Sequence, residues 1–301
     1  MANNLETVTL FQQACDRQLI EGATSGWMEA NAGQVKYSGG REIKIPTLAT
    51  DGLGDYDRNK GYPRGKASLS YQTKEMTMDR GIQFLLDRID VDESGFIANA
   101  TAVMSTFQRE NVIPEVDAYR YSKLYKLISD AGNSKSYSPA VSTILSTLKN
   151  DIVKVQDKYG VSAADLVIIM PYVVADLLDS SDKLNRQINV GSFHQGNVDL
   201  EVKTLNGTPI VRVPSDRMYT EYTFNSGAED FGFTKTEGAK LINWIISPRN
   251  APIAVSKTDG VKIFTPEQTQ GADAWTIEYR KFHDVWVKDN QLKAMRASVA
   301  E

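Results

Sequence analysis

The apolar positions of this 301-residue chain change their spacing several times, and each change predicts an element. Arg41-Glu42-Ile43-Lys44-Ile45 alternates like a strand, and Pro46 is predicted to stop it. Ser68-Leu69-Ser70-Tyr71-Gln72-Thr73 alternates again, and Ile82-Gln83-Phe84-Leu85-Leu86 follows. From Phe96 the spacing becomes helical, with Ala100, Val103, Met104 and Phe107 recurring at three and four. Pro114 should interrupt this pattern, with Asn111 capping a restart and Glu115 and Asp117 in the new first turn. Tyr119, Leu124, Leu127 and Ile128 carry the stripe onward, so the spacing predicts a long, kinked helix over much of 96–131.

After a break at Ser136 to Pro139 the pattern is mixed. Val141 to Tyr159 reads as a helix ended by Gly160, and Leu166-Val167-Ile168-Ile169-Met170 as a buried strand. Pro171 opens a helix over Tyr172 to Leu178. Val198 to Val202 and Ile210 to Val213 flank Asn206-Gly207, a hairpin signature. Leu241 to Ile246 and Val261 to Phe264 are further strands. The tail alternates, with Trp275, Ile277 and Tyr279 on one face, then Val285 and Val287. Residues 1 to about 30 form an amphipathic lead-in with Leu10, Phe11, Leu19 and Ile20 on its apolar side. No internal repeat or low-complexity segment occurs.

Val35 to Met78 stands apart, because it has too few apolar residues to bury itself. Its middle holds Gly52, Gly54, Gly61 and Gly65, the acids Asp51, Asp55 and Asp57, and the bases Arg58, Lys60, Arg64 and Lys66. A lone two-stranded ribbon is marginal in water. An arm with both charge signs, and with Tyr56 and Tyr62 at its tip, is predicted to lie on another copy of the same protein. Asp55, Tyr56, Arg58, Lys60, Tyr62, Arg64 and Lys66 are therefore the candidate assembly residues.

Composition adds exclusions. Hydrophobic content of 41% and charged content of 24% are ordinary for a globular protein. A net charge of −4, with no run of Lys or Arg, argues against a dedicated nucleic-acid-binding protein. No signal peptide or membrane-length apolar run is read, so a soluble intracellular product without membrane partners is expected. The single cysteine, Cys15, rules out an internal disulfide and reads as a buried thiol.

Candidate chemistry is sparse. Gly61-Tyr62-Pro63-Arg64-Gly65-Lys66-Ala67 resembles a phosphate loop but has the wrong glycine spacing. Ala67 stands in the hydroxyl position, and a strand follows instead of a helix. Asp90-Val91-Asp92-Glu93-Ser94-Gly95 matches the start of a calcium loop, yet Thr101 sits where the bidentate glutamate belongs. Asp55-Tyr56-Asp57-Arg58-Asn59 fits less well. The only histidines are His194 and His283, and no nucleophile motif is present. In a strand His283 and Asp284 point apart, so His283 reads as a sheet histidine with a backbone partner. No catalytic residue, metal or cofactor is expected, and the chain is read as no enzyme.

Three blocks carry a family resemblance. They are Ser70-Tyr71-Gln72-Thr73-Lys74 through Asp79-Arg80-Gly81 to Asp90-Val91-Asp92-Glu93-Ser94; Phe107 through Arg120, with Gln108-Arg109-Glu110-Asn111 and Pro114-Glu115-Val116-Asp117; and Ala272-Asp273-Ala274-Trp275 with Tyr279-Arg280-Lys281-Phe282-His283-Asp284 and Val287 to Asn290. In order and spacing the chain resembles the tailed-phage major capsid proteins of the HK97-like fold. That resemblance implies an α+β fold with an N-terminal arm (1–30), an extended β-hairpin loop (31–87), a peripheral domain with a long spine helix (88–135 and 262–301), and an axial α/β domain (136–261). It also implies self-assembly into pentamers and hexamers of an icosahedral head shell that encloses double-stranded DNA non-specifically. A separate scaffolding protein and a portal would be partners, with the shell assembled in the host cytoplasm and ending in the virion. Two alternatives stay open: an encapsulin-like compartment shell, and an α/β enzyme or small-ligand binder using 136–261.

Overall fold

The computed structural model describes residues 22–59, 61–87, 103–181, 188–195, 198–228, 230–269 and 273–301. Most of the lead-in, Cys15 and the acidic run Asp90 to Gly95 lie outside them. The fold is α+β. A 3-10 helix (Gly26–Gln34) leads into β1 (Lys36–Gly39), β2 (Glu42–Thr50), β3 (Ala67–Glu75) and β4 (Met78–Asp87). Then come α1 (Ile113–Asp130), β5 (Ser134–Ser136), α2 (Ile144–Tyr159), β6 (Leu166–Pro171) and α3 (Tyr172–Asp179). β7 (Ile188–Gln195), β8 (Val198–Leu205), β9 (Thr208–Val213), β10 (Tyr222–Phe224), β11 (Phe233–Lys235) and β12 (Ile242–Pro248) follow. The chain finishes with β13 (Pro252–Phe264), β14 (Ala274–Val287), α4 (Asp289–Leu292) and β15 (Arg296–Val299).

The apolar run 166–170 forms the middle of a seven-stranded sheet ordered β5-β15-β12-β6-β9-β8-β7. Every residue of β6 is buried, as expected for a strand covered on both faces. α2 and α3 cover one face, where Ile144, Leu148, Ile152 and Val155 meet Leu166, Ile168, Met170, Trp244 and Ile246. On the other, Tyr121, Leu124 and Ile128 of α1 meet Val167, Ile169 and Ile245. Asn206 (φ 52°) and Gly207 (φ 85°) make the β8–β9 turn, as a two-residue hairpin of this hand requires. Gly160, at φ 61°, donates its N–H to Gln156 and ends α2 as predicted. β15 pairs with β12 and runs parallel to β5, so the tail from 262 divides between two sheets.

Two proline expectations need correction. Pro46 does not stop its strand: β2 continues to Thr50, with Pro46 opposite Tyr71. β1 ends its pairing at Lys44, so beyond that point one edge of β2 is open and tolerates the missing donor. Pro114 does not break the helix either. Residues 103–107 and α1 are joined by a π-turn, Gln108–Val112, in which the Ile113 N–H reaches the Gln108 carbonyl. The wider turn accommodates the proline within a continuous helix, and Asn111 does not act as a cap.

That helix serves two cores. Met104, Val112, Ile113 and Val116 pack on Ile277 and Tyr279 of the three-stranded sheet β13-β14-β4, whereas its second half packs on the seven-stranded sheet. Asp117, expected as a dipole-favoured acid of a first helical turn, is fully buried. It accepts from the Thr24 and Ser25 N–H groups (3.1 and 3.0 Å), from both their hydroxyls (2.8 and 2.6 Å), and from Arg217 Nη1 (3.1 Å). Buried Arg120, three residues further along the helix, donates to the Ser25 carbonyl and to Glu29 (2.5 Å). Together they fasten the segment before β1 to the spine helix.

Candidate assembly interface

β2 and β3 form a ribbon whose antiparallel register runs from Glu42 opposite Glu75 to Thr50 opposite Ala67. Its base is anchored. Ile43, Ile45 and Met76 are buried against Ile253, Val255, Phe282 and Trp286. The joint between β3 and β4 is held by Asp284, which is fully buried. Asp284 Oδ2 accepts from the Thr77 N–H (3.0 Å) and hydroxyl (3.2 Å), and Oδ1 from Tyr119 Oη (2.8 Å) and Lys123 Nζ. Burial pushes the Tyr119 phenol far above its ordinary range, and the adjacent Asp284 charge adds to this, so Tyr119 stays a donor. Gln72 reaches Asp289 (2.8 Å), and Lys36 Nζ lies 5.9 Å from the Tyr71 ring centre.

Beyond Pro46 the ribbon leaves its own body. Residues 48–59 and 62–71 are all exposed. The tip carries hydrogen bonds of its own. Lys66 donates its N–H to Asp51 Oδ2 (2.8 Å), and Asp51 returns its own to the Lys66 carbonyl (3.1 Å). Gly61, at φ 77°, donates to the Asp57 carbonyl (2.7 Å), while Asn59 donates to Asp57 Oδ1 (2.8 Å). The rings of Tyr56 and Tyr62 meet at 4.9 Å.

Of the residues singled out from the sequence, Asp55, Tyr56, Arg58, Tyr62, Arg64 and Lys66 are brought together on this exposed tip, and Lys60 lies outside the described residues. Among the described residues, the charged members make no ion pair with one another. The anchoring residues Asp284 and Asp117 were missed by sequence reasoning. Their only signal is an acid set among apolar neighbours, in Phe282-His283-Asp284-Val285 and Val116-Asp117-Ala118.

A cleft of about 720 Å³ lies between β4, the spine helix and the β10–β11 hairpin. Its charged groups are occupied structurally: Arg80 bridges Glu115 (2.8 Å) and the Asn225 and Gly232 carbonyls, and Lys281 pairs with Asp259. His283 lines it, and its buried Nδ1 has no hydrogen-bond partner among the described residues. Burial pushes its pKa well below the ordinary value, and Arg120, Lys281 and Lys123 add to this, so the imidazole is neutral. No described group of His, Cys, Asp and Glu side chains could hold a metal. No helix among the described residues is long and apolar enough to cross a membrane.

No protein-family model matches the chain, and no curated protein matches it. Its fold does match solved structures. The mature capsid of bacteriophage PhiM1 aligns at a TM-score of 0.57 and 14% identity, over 87% of this chain and 82% of that one. The capsid of cyanophage P-SCSP1u aligns at 0.55 and 11% identity, over 88% and 85%. A virus-like particle from Pyrococcus furiosus aligns at 0.52 and 11%, over 98% and 99%. At these identities the likeness is one of fold.

Proposed function

From the HK97-like fold that this chain carries, we propose that it is a major capsid protein, self-assembling into the icosahedral head shell that encloses a tailed phage's double-stranded DNA. The observation that carries this reading is a ribbon anchored only at its base and bare beyond Pro46. Such a ribbon has no stabilising surface on its own body, and in a shell a neighbouring subunit supplies one. On this reading residues 1–30 are the N-terminal arm, 31–87 the extended loop, 88–135 with 262–301 the peripheral domain, and 136–261 the axial domain. The role needs interfaces and no reaction, which agrees with charged groups engaged in structural pairs.

Pentamers and hexamers then repeat one contact many times. The tip charges of Asp55, Arg58, Lys60, Arg64 and Lys66 meet opposite charges on a neighbour, each exposed pair contributing only about 0–1 kcal/mol. Weak single contacts let misplaced subunits leave, while repetition holds the finished shell. The net charge of −4 suits an envelope around DNA that makes no sequence-specific contact. A separate scaffolding protein and a portal complete the assembly in the host cytoplasm, and the chain ends in the virion.

A second reading, an encapsulin-like compartment that houses protein cargo, is favoured by the near full-length match to the archaeal virus-like particle. Electron microscopy of the purified full-length chain, with nuclease challenge of the particles, tests both. Closed shells holding nuclease-protected DNA support the capsid reading, and shells holding only protein support the compartment. A discrete small oligomer at every concentration would refute both.

A further inference from the structure

The two faces of the ribbon are chemically unlike. Directly opposed residues of an antiparallel pair share a face, and the faces alternate along each strand. One face carries Ile43, Ile45, Thr47 and Ala49 opposite Lys74, Gln72, Ser70 and Ser68. At the base this face is turned to the protein's own body, where Ile43 and Ile45 are buried. Further out it is lined by small, mostly hydroxylic side chains. The opposite face carries Pro46, Leu48 and Thr50 opposite Tyr71, Leu69 and Ala67. It therefore presents two consecutive apolar cross-strand pairs, directed away from the body. Leu48 is 66%, Leu69 57% and Tyr71 45% exposed.

We propose that this outward apolar face is the surface by which the ribbon seats on a second copy of the chain, the charged tip orienting the contact. The proposal rests on the shell reading above and names the residues that carry its interface. The five residues from Pro46 to Thr50 extend roughly 17 Å past the anchored base, with their apolar side facing outward, so the body that buries Ile43 cannot cover them.

A face two strands wide and five residues long projects roughly 170 Å². A free-standing complex with an unrelated partner needs about 800 Å² from each side. A patch this small suits a contact that every copy both gives and receives, where a head-to-tail arrangement of identical subunits closes a ring. The two faces also contrast in chemistry. A ribbon meant for solvent has no reason to keep Leu48 and Leu69 paired outward while Thr47, Ser70, Ala49 and Ser68 face the other way.

The test places the photocrosslinker p-benzoylphenylalanine, in the full-length chain, either in place of Leu69 or in place of Ser70, its inward-facing neighbour. Irradiation should give a ladder of covalent dimers and larger species from position 69 and little from position 70. In parallel, the double substitution Leu48→Lys with Leu69→Lys should raise the critical concentration for assembly about tenfold or more, because two leucines lose their buried site. It should leave the melting temperature of the dissociated chain unchanged. Thr47→Lys with Ser70→Lys should shift assembly by less than about twofold. Equal ladders from both positions, a crosslink confined within one chain, or normal assembly of the leucine double variant would overturn the proposal. Should the wild-type chain form a small oligomer, a ladder specific to position 69 keeps the face assignment while the shell reading falls. Absence of any intermolecular crosslink at 69 sinks the face assignment whatever the particles look like.

Discussion

Acid should weaken this fold through one histidine, and the size of the effect follows from where that side chain sits. His283 is 2% exposed in β14, and its Nδ1 has no hydrogen-bond partner among the described residues. Tyr119 meets its ring edge-on at 5.5 Å. Burial depresses its pKa well below the ordinary 6.5, reinforced by Arg120, Lys281 and Lys123. Above pH 6.5 the imidazole is neutral in both folded and unfolded chains and contributes no pH dependence. Below it the unfolded chain takes up a proton that the folded chain refuses, so stability falls by about 1.4 kcal/mol per pH unit. From pH 6.5 to 5.0 the loss is about 2 kcal/mol. His283→Phe keeps the edge contact and breaks no hydrogen bond at Nδ1, so it should remove this slope. Urea unfolding of the dissociated chain, followed by tryptophan fluorescence from pH 7.5 to 5.0, measures it. Wild-type and variant stabilities that fall in parallel over that range would refute the reasoning.

Other outcomes follow from the same geometry. Burial pushes the Glu29 carboxyl up, but Arg120 and Lys281 outweigh this and hold it below its ordinary 4.5. Its contribution is present above pH 4.5 and lost as pH falls further, so the His283→Phe protein should still unfold in that acid range when scanned by circular dichroism. Asp117→Asn breaks the buried pairing with Arg217 and turns a donor toward donors, and chemical denaturation should register a loss of about 3–5 kcal/mol. Replacing residues 47–70 by Asn-Gly should leave the monomer's melting temperature nearly unchanged while closed shells vanish from micrographs; normal particles would show that the ribbon is not the assembly element. Gly81→Ala would bring a Cβ to 2.9 Å from the Tyr279 carbonyl oxygen, and thermal melting should reveal a destabilisation of about 1–3 kcal/mol.

Local chemistry made much of this structure readable in advance. The turn at Asn206-Gly207, the stop at Gly160, the buried strand at 166–170 and the returning limb of the ribbon each depend on a few adjacent residues, and each is where it was expected. What could not be read depends on partners distant in sequence. Whether Pro46 ends a strand depends on whether β1 still occupies that edge. Whether Pro114 breaks a helix depends on whether a neighbouring sheet pays for a widened turn, here through Ile277 and Tyr279. Asp117 was legible as a first-turn acid, yet its five donors come from Thr24, Ser25 and Arg217, roughly a hundred positions away on either side. The tip residues were legible as exposed, because glycine and charge leave nothing to bury. The outward face was not, since its apolar character arises only from the pairing of Leu48 with Leu69.

The widened turn at Gln108–Val112 also has a consequence for how this chain tolerates length changes. It acts as a phase shifter: one surplus residue rotates everything upstream by roughly 100° relative to an unbroken α-helix. That offset lets Met104 and Phe107 aim at the β4 side while Tyr121 and Leu124 aim at the larger sheet. Arg109 and Glu110 are exposed, so exchanging either side chain for alanine should matter little. Deleting either residue outright should swing Met104 out of its seat, making the absence of one peptide unit costlier than the loss of either side chain.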